Sequence, residues 1–238
     1  MPQFEPHHFE QPAEKAESRH ECASVREAIV RVLHGDGMAI VHPVGVDAAA
    51  RQQAHDEIML TERIVGNGDM TDSVEYYTEF DPVVLEPIFS KLLGEESGFS
   101  EPMFAVNLQY MVYPPGSKLA SHYDFIDADT VYTSIYAGGL DEESISLVYV
   151  FAGTKQLGAE IESAGGTQEH VTVTQQPDML LMFRGGAIQD GDTLRKAILH
   201  WVPELGSDEQ AASLTFELMP KRNRVDEASP SDSEQGQW

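Results

Sequence analysis

Apolar residues in the first third of the chain recur at helical spacing. Ser24 precedes Val25-Arg26-Glu27-Ala28-Ile29-Val30-Arg31-Val32-Leu33 and can cap a helix there, which Gly35 and Gly37 stop. Met38-Ala39-Ile40-Val41 is a short unbroken apolar run and reads as a strand. Asp47 caps a second helix running to about Ile64, with Ala50, Ala54, Ile58 and Leu60 near helical spacing. Residues 66–80 hold Gly, Asn, Asp and Thr and read as a long loop. Asp81-Pro82 opens a third helix that buries Val84, Leu85, Ile88, Leu92 and Leu93.

After about residue 103 the pattern becomes extended. Phe104–Tyr113, Thr130–Ala137, Ser144–Phe151, His170–Thr174, Met179–Phe183, Lys196–Val202 and Ala212–Leu218 read as strands, rich in Val, Ile, Tyr and Thr and separated by Gly, Pro or Asp. Helices followed by many short strands predict a mainly β fold, a sandwich or barrel with helices packed outside. One domain over residues 21–222 accounts for both, since helices and strands can share one core. Residues 1–20 and 223–238 are polar and without periodicity, and are expected to be mobile ends.

Composition excludes several classes. No run approaches the roughly 18 apolar residues of a membrane span, and Met1–Glu10 lacks the basic lead of a secretory signal. Cys22 is the only cysteine, so no intrachain disulfide forms and a cytoplasmic setting is expected. There are 40 acidic residues against 15 basic ones, and a net charge of −25 argues against a nucleic-acid binder. The acids are spread along the chain, as in Asp141-Glu142-Glu143 and Asp208-Glu209, so acidic tails alone do not explain them. If the charge is an adaptation to high salt, self-repulsion destabilises the fold at low ionic strength. The melting temperature is then expected to rise from millimolar to molar salt, and a flat or falling curve leaves only a role in solubility.

Candidate chemistry lies in two places. In Ser121-His122-Tyr123-Asp124, an extended chain sets His122 and Asp124 on one face. His200 lies on the apolar segment Ala197-Ile198-Leu199-His200-Trp201-Val202, where an imidazole without a partner is costly to bury. Taken singly, His122 suits a surface or capping histidine, and His200 a buried histidine bonded to a backbone carbonyl. Taken together, two histidines and one carboxylate make a facial triad, the arrangement of non-haem Fe(II) sites that leave positions open for dioxygen and substrate. No Gly-x-Ser-x-Gly elbow, Gly-x-Gly-x-x-Gly or P-loop is present.

Around these residues the sequence resembles the Fe(II)/2-oxoglutarate-dependent oxygenases, over roughly Phe104 to Leu218. One block is Leu108-Gln109-Tyr110-Met111-Val112-Tyr113-Pro114-Pro115-Gly116 followed by His122-Tyr123-Asp124. The other is Gln176-Pro177-Asp178-Met179-Leu180-Leu181-Met182-Phe183 followed by Leu199-His200-Trp201-Val202-Pro203. The resemblance implies a double-stranded β-helix (jelly-roll) core preceded by N-terminal helices, with Fe(II) held by His122, Asp124 and His200 and dioxygen as cosubstrate. It departs at Ala211, where the family commonly places an Arg that clasps the far carboxylate of 2-oxoglutarate; Ser213 is retained.

Two enzymatic alternatives follow from that departure. In one, a relocated cation binds 2-oxoglutarate, with Tyr113 nearby: Lys118 shares the strand parity of His122 and Lys196 that of His200, which turns both inward, and Arg184 and Arg195 lie near the second block. In the other, the substrate itself ligates the iron and no 2-oxoglutarate is used, as in isopenicillin N synthase-type oxidases. The substrate is expected to be a small polar molecule, amino-acid-like among the options, with Asn107, Gln109, Tyr132 and Tyr136 as candidate contacts. A catalytically silent cupin-like metal-binding or sensing module is the non-enzymatic alternative.

Overall fold

The computed structural model describes residues 19–67, 71–93, 103–124, 145–162, 166–185, 188–190 and 193–220. Helix α1 spans Val25–His34. Ser24 Oγ accepts from Glu27 N at 3.2 Å, which caps the helix, and the Glu27 carboxylate accepts from Ala23 N at 2.9 Å, which ties the first turn to the residue before the cap. Strand β1 is Met38–Val41 and helix α2 is Ala48–Ile58. Asp47 caps α2 by accepting from Ala49 N and Ala50 N. A 3-10 turn at Pro82–Leu85 leads into α3, Glu86–Leu93.

The remaining elements are strands: β2 (Ile64–Asn67), β3 (Thr71–Tyr77), β4 (Met103–Tyr113), β5 (Lys118–His122), β6 (Ile145–Gly153), β7 (Lys155–Glu162) and β8 (Gln168–Gln175). They continue with β9 (Leu180–Arg184), β10 (Ile188–Asp190), β11 (Thr193–Arg195), β12 (Leu199–Val202) and β13 (Ala211–Pro220). The main sheet is antiparallel, in the order β1-β9-β6-β13-β4-β3-β5-β12-β7-β8, with β2 on β3; β10 and β11 form a separate hairpin. The fold is mainly β with flanking helices, a curled jelly-roll sheet.

Strand β3 joins the two halves of the curl. Its Glu75–Tyr77 pair with β4, and its Thr71–Asp72 pair with β5. Ser73, between them, sits at φ 61, where the strand changes partners. Strand β6 shows why the core segments look uniformly apolar. Leu147, Tyr149 and Phe151 pack with residues of α1, α2 and α3, whereas Val148 and Val150 pack with Leu157, Ile161 and Val173 of the opposite half. Both faces are buried, so alternation vanishes.

Several sequence expectations change here. The second helix ends at Ile58 rather than near Ile64, because Thr61 folds back and its amide and hydroxyl both donate to Ile58 O. Residues 66–80 are not one loop: β2 ends and β3 runs within them. The strand over Lys196–Val202 begins only at Leu199. The segment Thr130–Ala137 lies outside the described residues.

Two glycines shape the crossing from one half to the other. Gly153 has φ 72, and a Cβ there would lie 1.9 Å from Gln210 O. Gly158 in β7 lies opposite Trp201 in β12, and a Cβ there would lie 2.2 Å from the indole. Gly158→Ala must push Trp201 aside, next to His200. Overpacking of this kind costs about 1–3 kcal/mol, or roughly 2–10 °C of melting temperature. Calorimetry and metal titration of the variant are expected to show both a lower melting temperature and weaker metal binding. An unchanged melting temperature would mean that the indole swings away freely.

Candidate metal centre

His122 and His200 are direct cross-strand partners on β5 and β12. Such neighbours share a face at close range, and their rings lie 4.3 Å apart. Each imidazole is oriented by its own strand. His122 Nδ1 lies 2.8 Å from Ala120 O, and His200 Nδ1 lies 3.2 Å from Ile198 O. A carbonyl only accepts, so Nδ1 carries the proton and the Nε2 lone pair is left for a cation. Asp124 Oδ1 closes the triangle, 3.6 Å from His122 Nε2 and 3.3 Å from His200 Nε2. The three donor atoms lie within 4.8 Å of one another. Metal–ligand bonds of about 2.1 Å at right angles set donors about 3 Å apart, so Asp124 Oδ1 stands close to that spacing from each imidazole, and the three donors close onto an octahedral ion by drawing together.

The electrostatics match a cation seat. Burial alone would raise the Asp124 carboxyl. The two imidazoles that face it outweigh burial and hold the group well below the ordinary carboxylate range. Burial alone would lower His122, but Asp124 and the Ala120 carbonyl outweigh it and raise the imidazole. A divalent ion would displace the protons that this arrangement otherwise attracts. Phe183 packs against His200, with ring centroids 4.3 Å apart, and walls the seat on its inner side.

A cavity of about 230 Å³ leads inward from the triad. Its lining includes Gln109, Met111 and Tyr113 of β4, and Lys155 of β7. Lys155 is 1% exposed. Its Nζ donates to Ser213 Oγ at 2.9 Å and lies 3.6 Å above the centre of the Tyr113 ring. Sequence reasoning missed it because β7 was not assigned as a strand; Gly158 and Ala159 dilute its pattern. The usable signal was parity: Lys155, Leu157, Ala159 and Ile161 alternate with polar residues or Gly158, and all four are buried.

No family model matches the chain, and no curated protein matches it in sequence. Solved structures do match. A prolyl-4-hydroxylase from Pseudomonas putida superposes with a TM-score of 0.50 at 17% identity, covering 81% of this chain and 98% of that one. The non-haem alpha ketoglutarate dependent epimerase SnoN from nogalamycin biosynthesis gives 0.53 at 14% identity, with 87% and 82% covered. HygX from Streptomyces hygroscopicus, solved with nickel and 2-oxoglutarate bound, gives 0.53 at 10% identity, with 81% and 85% covered. The chain has the fold of the 2-oxoglutarate–Fe(II) oxygenases.

Within that oxygenase fold the other sequence candidates fall in different places. Gln109 and Tyr113 line the cavity; the Tyr113 hydroxyl donates to Met111 Sδ at 3.5 Å. Lys118 is exposed and does not line the cavity. Between the pairs Val202↔Leu119 and His200↔His122, β5 advances three residues and β12 two. This bulge carries Leu119 and His122 to the same face and breaks the parity that would have turned Lys118 inward. Arg184 is buried elsewhere, donating to the carbonyls of Lys196, Val32 and Gly35, and so ties the end of α1 to the approach to β12. Lys196 is exposed, because it precedes β12 and strand parity does not govern it. Arg195 lies in the β10–β11 hairpin, and its side chain is outside the described residues, as is that of Asn107 in β4. Tyr132 and Tyr136 are also outside them. Thr71 and Tyr76 of β3 line the cavity and were not anticipated, since their segment was read as loop. No helix among the described residues is long and apolar enough to cross a membrane.

Proposed function

We propose that this chain is a non-haem Fe(II) oxygenase that uses dioxygen and 2-oxoglutarate to oxidise a small polar molecule. The observation that carries the proposal is the triad of His122, Asp124 and His200, with both Nδ1 atoms engaged and three donors converging on one side of a shared centre. Bound there, ferrous iron supplies dioxygen activation and leaves three coordination positions free. The residues do the rest. His122, Asp124 and His200 fix the ion at the mouth of the cavity. Lys155, anchored by Ser213, offers a buried amino group that can pair as an ammonium with the far carboxylate of a dicarboxylate; Ala211 cannot. Tyr113, Leu157 and Phe183 keep water from the inner wall, and Gln109, Thr71 and Tyr76 offer polar groups to cosubstrate or substrate. SnoN has been solved with Fe3+ and alpha ketoglutarate, which supports the same pairing of metal and cosubstrate here.

The alternative without 2-oxoglutarate loses its motive once Lys155 is in the cavity, since its amino group can partner the far carboxylate of the dicarboxylate. With a net charge of −25, a small molecule suits the protein better than nucleic acid.

The test is dioxygen consumption by the Fe(II)-loaded protein with succinate measured in parallel. Consumption that depends on 2-oxoglutarate, with one succinate per dioxygen, supports the proposal. Consumption without 2-oxoglutarate or succinate would favour the direct oxidase, and none under any condition the silent binding module.

A further inference from the structure

Among the described residues, Lys155 is a buried amine with no counter-charge in contact. The elements packed around it offer neutral groups. Strand β13 contributes the Ser213 hydroxyl, and β4 the face of Tyr113. Strand β8 places Gln175 directly across from Lys155. Gln175 is fully buried, and among the described residues neither its amide nitrogen nor its amide oxygen has a hydrogen-bond partner. The other ionisable groups lining the cavity are Asp124, His122 and His200 at the metal end, and Tyr76. The phenols supply no anion, because burial raises both Tyr76 and Tyr113. Asp124 is engaged by the two imidazoles.

We propose that the cosubstrate's far carboxylate and one proton enter this pocket together, the proton landing on Lys155 Nζ. The proposal rests on the reading that 2-oxoglutarate binds here. An ammonium buried without a carboxylate loses its hydration and gains little in return. Desolvation accordingly lowers Lys155 well below the ordinary lysine range. The arriving carboxylate reverses the balance, since it favours the charged form at close range. The arginine common in the family has no such freedom, because a guanidinium stays charged. A lysine from β7 in its stead therefore changes the proton stoichiometry of binding. The sign follows. Where the free amine is neutral and the bound one charged, each binding event takes up a proton, and affinity falls as pH rises. Below the titration of the free amine, binding is independent of pH.

Calorimetric titration of 2-oxoglutarate into the Fe(II)-loaded protein without oxygen tests this, in two buffers of different ionisation enthalpy across a pH series. On the alkaline side about one proton is expected per ligand, and Kd is expected to rise about tenfold per pH unit. Lys155→Arg is expected to bind with a proton count near zero and a flat pH profile. Heats independent of buffer in the natural protein would overturn the proposal, since Lys155 would then already be charged. Proton uptake that persists in Lys155→Arg would also overturn it, by assigning the proton elsewhere. Should Lys155→Arg fail to fold, the proton count of the natural protein still decides. No binding at any pH, checked by equilibrium dialysis, would instead sink the cosubstrate reading and the proposal with it.

Discussion

Replacing His122, Asp124 or His200 by alanine is expected to remove iron and turnover together while leaving the fold in place. None of the three belongs to a hydrophobic core cluster. His122 and Asp124 sit at the partly exposed end of β5, with side chains 18% and 25% exposed. Their loss opens no cavity in the core. His200 is 4% exposed and packs on Phe183, so His200→Ala is expected to lower the melting temperature more than the other two. Metal affinity responds far more steeply. Disturbing a group that merely orients a ligand costs about 10–100-fold, so removing a ligand itself is expected to cost at least on the order of 100-fold. The protein is reconstituted with Fe(II), desalted and assayed for metal, with circular dichroism run alongside. The natural sequence should hold about one iron per chain and each variant almost none. Stoichiometric iron in all three variants would remove the site assignment.

How much of this was legible in the sequence depends on what each segment is packed against. The three helices and the strands of the first half of the curl stood out, because one-sided or two-sided burial gives helical spacing or solid apolar runs, as in α1 and β6. The triad was legible too, since a His-x-Asp and a later lone histidine on an apolar strand are unusual together, and the structure makes His122 and His200 direct partners. Strand β3 was not legible. It divides its hydrogen bonds between two strands, turns at Ser73 and buries only Val74 and Tyr77, so it carries neither alternation nor an apolar run. Lys118 and Lys196 lie outside the cavity for a related reason. Lys118 was counted by parity across a bulge, and Lys196 by parity outside a strand. Bulges and strand ends depend on pairing with distant segments, which local spacing does not encode. Lys155 lay in a strand whose outward face is polar and whose centre is Gly158, a residue fixed by Trp201 more than forty positions later.

Lys155→Met is expected to abolish 2-oxoglutarate binding at working concentrations while leaving iron in place. Nζ is the group that becomes the far carboxylate's cationic partner in the cavity, and a carboxylate set there without it would be desolvated and unpaired. That penalty amounts to several kcal/mol. At about 1.4 kcal/mol per factor of ten, it corresponds to roughly a thousandfold in affinity. The metal seat lies on β12 and at the end of β5 and, among the described residues, shares no hydrogen bond with Lys155, so iron content is expected to match the natural protein. Stability is expected to hold or rise, because methionine fills a similar volume without a desolvated amine. Ser213→Ala keeps the amine and removes its anchor, and a smaller loss of about tenfold is expected. The decisive arm is Ala211→Arg in the Lys155→Met background. Ala211 is buried opposite Tyr113 on β13, two residues before Ser213, so a guanidinium there starts on the same face of the strand. Binding without oxygen is measured for all four proteins. Partial recovery in the double variant, with none in Lys155→Met, would show that the cavity needs a cation and that β7 supplies in this chain what β13 commonly supplies in the family. Undiminished binding in Lys155→Met would place the far carboxylate elsewhere and return the question to the remaining cations.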